Sequence, residues 1–74
     1  MNRIQQNFHK HIELLNLAAT TAMQPRFGAA AEAYRYYTQA MELASPIDTT
    51  MIGHAVYTLV NQAAVREGQE PMLQ

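Results

Sequence analysis

Seventy-four residues, five basic and six acidic side chains, a net charge of −1 and no cysteine describe one small domain. A chain of this size buries only about 60% of its unfolded surface, and without cysteine neither a disulfide framework nor a thiolate metal site can reinforce it, which leaves association with another chain. The scattered Arg3, Lys10, Arg26, Arg35 and Arg66 exclude the basic excess of a general nucleic-acid or anionic-membrane binder, and no apolar run approaches the ~18 residues of a bilayer span.

The first element is a helix from Asn2 to about Met23. Asn2 and Gln5 form a capping-box-like pair at its start. Ile4, Phe8, Ile12 (with His11 beside it), Leu15, Ala19 and Ala22 recur at steps of three and four, and Leu14, Leu17 and Ala18 widen that stripe toward the C-terminal half. The opening MNRIQQNFHKHIE has no apolar core behind its charge, so it is not read as a secretory signal, and the chain is expected in the cytoplasm. Gln24-Pro25-Arg26 breaks the pattern, because proline disfavours helical geometry in the residue before it and suits the first position of a new helix. A turn is expected there, with Thr21 or Gln24 as the cap; one helix kinked at Pro25 is the alternative.

The second helix is expected over about 25–44 and carries two apolar stripes. Phe27, Ala30, Tyr34, Tyr37, Met41 and Ala44 line one face, and Ala29, Ala33, Tyr36, Ala40 and Leu43 line the neighbouring one. A surface helix needs a single stripe roughly 100° wide, so this helix is expected to be covered on two sides. Three tyrosines in four positions subtend most of its circumference, more than two thin neighbours can bury. Tyrosine, arginine and methionine are also enriched at protein interfaces and their hot spots. Phe27, Tyr34, Tyr36, Tyr37 and Met41 are therefore the expected protein-interface residues, and a charge introduced at Tyr36 is expected to disrupt assembly.

Ser45-Pro46-Ile47-Asp48 reads as serine cap, proline at the first helical position and an acid at the third. The third helix is expected over about 46–67, with Met51 or Ile52, Ala55, Val56, Leu59, Val60 and Ala63 facing inward. Gly68 suits its end, and residues 69–74 form a mobile tail. Three helices within residues 1–68 predict an all-α fold: an up-down three-helix bundle, or a helical hairpin plus a third helix, completed by homodimerisation.

Catalytic, cofactor and metal sites are not expected. The single serine is spent as a cap, and three isolated glycines make no phosphate loop. His9 and His11 stand two apart, about 200° around a helix, so they cannot share an ion; His9 with Glu13, joined by His54, is the one spacing open to a metal. The third helix would present Asp48, Thr49 and Thr50 at its start, a poor match to a DNA recognition helix.

The segment 28–46, GAAAEAYRYYTQAMELASP, resembles the second helix of a tetratricopeptide repeat, with Ala33, Tyr37 and Ala40 at the small–aromatic–small spacing of that motif and a proline at the end. Pro46 falls one position later than in the repeat, and Ala18–Gln24 lacks the upstream large-residue and glycine pattern. The resemblance implies a helical hairpin that packs against further helices to bind a protein segment. Together these signals point to a small non-enzymatic interaction protein (an adaptor, chaperone or antagonist) that occludes a partner protein through its tyrosine- and methionine-rich face. A small DNA-associated regulator is the alternative.

Overall fold

A computed structural model describes residues 3–43 and 48–69, with side-chain surroundings from residue 6 onward. The chain is an all-α bundle of three mutually packed helices, α1 (Arg3–Ala22), α2 (Ala29–Met41) and α3 (Thr50–Arg66). None of the described helices is long and apolar enough to cross a membrane. The expected cap at Asn2, the Ala44–Ile47 connection with its serine cap, and the tail beyond Gln69 lie outside the described residues.

Alanine builds the core. Among the described residues Leu15 and Val60 are the largest fully buried side chains, Leu14 and Val56 are buried with them, and Ala18, Ala22, Ala29, Ala30, Ala33, Ala40, Ala63 and Ala64 fill most of the remainder. Side chains that end at Cβ let helix axes approach toward the short end of the usual 8–10 Å range. The α1–α2 packing is the most extensive of the three. On α1 the buried line is His11, Leu14, Leu15, Ala18 and Ala22, while Ile12 and Ala19 are half-buried at its edge and Leu17 is exposed. That line lies about one residue round from the expected stripe.

The rotation is possible because His11 satisfies both ring nitrogens inside the bundle. It is 3% exposed. Its Nδ1 lies 2.8 Å from the Ala40 carbonyl and its Nε2 2.9 Å from the Thr49 hydroxyl. A carbonyl only accepts, so Nδ1 carries the proton and donates it there. One side chain on α1 thus ties the C-terminal turn of α2 to the start of α3.

Pro25 marks a true turn rather than a kink: α1 stops at Ala22 and α2 begins at Ala29. The second helix is therefore shorter than the expected 25–44 at both ends. Gly28, at φ +91°, holds the left-handed conformation that side chains disfavour, and it supplies no capping side chain to α2. The cap comes from the far end of the molecule. Glu67 Oε1 accepts from the Gly28 N–H at 2.9 Å, and Oε2 accepts from the Ala30 N–H at 2.8 Å. Those are the orphan donors that a local Ser or Asp cap would normally satisfy. Beside it, Arg66 Nη2 donates to the Ala22 carbonyl at 2.7 Å, an orphan acceptor at the end of α1. The Arg66-Glu67 dipeptide so places a cation at the negative end of one helix dipole and an anion at the positive end of the next. Gly68, at φ +79°, fixes the pair in place. Its N–H donates to the Val65 carbonyl and the Gln69 N–H to the Ala64 carbonyl, both at 2.9 Å, which closes α3 in a Schellman turn.

The third helix starts at Thr50, four residues later than expected. Asp48 Oδ1 accepts from the Thr50 N–H at 2.9 Å and from its hydroxyl at 2.5 Å, which makes Asp48 a capping group rather than the third residue of the helix. These two hydrogen bonds hold its carboxyl below its ordinary value of 3.8.

Candidate functional site

The double stripe of α2 resolves into a small-residue centre with tyrosines on the flanks. Ala29, Ala30, Ala33 and Ala40 are buried, and Tyr34, Tyr36 and Tyr37 are half-buried against the core. Tyr37 meets Tyr57 of α3 edge-on, with ring centroids 6.4 Å apart. Tyr57 in turn stacks on His54, at 6.0 Å and an interplanar angle of 11°. Met41 reaches over Gly53, its Cε 3.6 Å from where a Cβ on that glycine would stand. The Tyr37–Met41 edge of α2 therefore lies along α3, with Tyr34 one turn back on the same edge.

Between α2 and α3 these residues frame an open cleft of about 350 Å³, lined by Tyr37, Met41, Thr49, Gly53, His54 and Tyr57, with Thr50 at its edge. Gly53 contributes no side chain to its lining. Its walls mix aromatic faces, a thioether, two threonine hydroxyls and an imidazole. Such a surface suits an apolar side chain that arrives with polar backbone around it.

Of the five expected interface residues, the structure brings Tyr37 and Met41 to this cleft and sets Tyr34 on the same edge of α2. Tyr36 is not among the residues lining the cleft and is half-buried against the core, so a charge there would disturb folding as well as docking. Phe27 lies outside α2 altogether. It is 85% exposed on the turn that Glu67 and Arg66 brace, with Arg26 beside it paired to Glu32 and donating to Gln24. The sequence pattern did not single out Gly53, which is buried. His54 had been considered only as a metal ligand. Among the described residues no three His, Asp or Glu side chains converge in a metal-like group.

A second surface differs in kind. Between α1 and α3 runs a groove of about 470 Å³ lined by Ile12, Leu15, Asn16, Ala19, Met51, Ile52, Ala55, Val56 and Leu59, with no charged group among the described residues that line it. Met51, Ile52 and Ala55, expected to face inward, stand open on its α3 wall. The buried line of α3 is instead Gly53, Val56, Val60, Ala63 and Ala64, with Gly53 lying under Met41.

Comparison of the chain with family models, with curated proteins and with solved structures finds no match.

Proposed function

We propose that this chain is a non-enzymatic protein-interaction module, acting in the cytoplasm as an adaptor, chaperone or antagonist, which seats an apolar side chain of a partner protein in the α2–α3 cleft and covers the surrounding partner surface. The observation that carries this reading is the convergence of Tyr37, Tyr57, His54 and Met41 around the bare floor at Gly53. Interfaces that form and dissociate are enriched in tyrosine and methionine and keep polar groups within reach at the rim. The rings are held by each other before any partner arrives, so little ordering entropy is lost on binding. Phe27 offers a second contact beyond the start of α2, and from that start to Met41 the helix runs roughly 18 Å, twelve steps of 1.5 Å. A partner that engages both must be at least that long. Lys10 is paired with Glu13, Arg26 with Glu32, and Arg66 with main-chain carbonyls, which favours a protein over a nucleic-acid partner.

The test compares affinity capture from the native host by the wild-type chain and by M41E, with R35E as an exposed control on the same helix. Met41 is 44% exposed, so the charge is compatible with folding, which circular dichroism checks. Capture that M41E loses and R35E keeps is the expected result. The same proteins captured by all three would overturn the reading.

A further inference from the structure

We infer that the α1–α3 groove is the contact between two copies of this chain, formed by antiparallel α3 helices that cross at Ala55. Three observations lead there. The bundle is light in large core side chains: among the described residues Leu14, Leu15, Val56 and Val60 are the buried ones larger than alanine in the apolar core, a chain of this size usually needs a staple, and it has no cysteine to provide one. The groove is apolar, with no charged group among the described residues that line it. Two identical faces can therefore meet without like-charge repulsion, and homodimer contacts are the class of interface with this apolar composition. By contrast, the α2–α3 cleft has the mixed character of an exchanging contact, so the two surfaces serve different partners.

The third observation is self-complementarity. A two-fold contact must join a patch to itself, with each residue i meeting j and j meeting i. Met51, Ala55 and Leu59 lie at four-residue intervals on one face of α3, spanning about 12 Å, and the order large–small–large reads the same in both directions. A two-fold axis at Ala55 sets Met51 of one protomer beside Leu59 of its partner. Met51 is 86% exposed and Ile52 51% exposed, and each stands next to the groove that the other copy's side chains would enter. Ala55, small and exposed, is what lets the two α3 helices approach.

The chain holds no cysteine, so one introduced thiol reports on one position. Sedimentation should give the wild type twice the 8.3 kDa chain mass, and I52E should return it to the mass of a single chain. Under mild oxidation A55C should form a disulfide-linked dimer, because residues on a two-fold axis face their own copies, whereas R35C on the outer side of α2 should stay monomeric. A wild type that sediments as one chain at every concentration, or equal cross-linking at positions 55 and 35, would overturn the inference. Either result leaves the cleft reading to its own test with M41E, and loss of that reading leaves the dimer standing.

Discussion

Replacing Ala33 with leucine tests whether the bundle is held at alanine distance. Ala33 is fully buried between α2 and its neighbours, with Ala29, Ala30 and Ala40 equally buried on the same face. Leucine adds three carbon atoms where the helices leave no room, and overpacking of this kind costs about 1–3 kcal/mol. A chain of 74 residues is stable by roughly 4–11 kcal/mol at the usual 0.05–0.15 per residue. The loss is therefore a large share of the total and should lower the melting temperature by about 5–20 °C. Ala31, exposed on the same helix, is the control. Leucine and alanine have similar helix propensity, so A31L should stay within about 0.5 kcal/mol of wild type. Urea denaturation of the two variants makes the comparison. Equal midpoints, or a more stable A33L, would refute a close-packed alanine seam.

Other consequences are as direct. The Gly28 and Ala30 N–H groups hold the Glu67 carboxyl below its ordinary value of 4.5. A carboxyl lowered on folding contributes stability above its unfolded value and loses it as pH falls through the lowered folded one. E67Q should thus melt below wild type at neutral pH, and the gap should close well below pH 4.5. H11F leaves the Thr49 hydroxyl without its buried partner and takes one donor from the Ala40 carbonyl, a loss of about 1–3 kcal/mol in chemical denaturation. The two glycines should respond oppositely to alanine. G28A forces a side chain into a left-handed residue and should cost about 1–2 kcal/mol. G53A meets Met41 at ordinary contact distance inside a helix and should gain about 0.5–1 kcal/mol.

Periodicity made the three helices and their all-α packing readable, because apolar steps of three and four over long windows have no other simple solution. Helix ends were less legible. Proline at position 25 suits a helix start, yet α2 begins four residues on, since its cap is Glu67, distant in sequence and brought near only by the finished fold. Arg66, one of five scattered basic residues in the sequence, caps α1 in the fold. The tyrosine crowding on α2 was visible, but the way it is relieved was not. Alanines take the centre of the buried face, so the rings can lie along its flanks without being driven into the core. Of the cleft, Tyr37, Tyr57 and Met41 stood out by type, whereas Gly53 and His54 acquire meaning only from what α2 places above them.

The most direct test of the account places a photo-reactive side chain at position 41, on the cleft, and separately at position 35, on the outer side of α2, and irradiates the native host. Covalent adducts to a partner protein from position 41 and none from position 35 are the predicted result. Adducts from position 35 alone, or from both positions equally, would contradict the assignment of the α2–α3 cleft as the docking site.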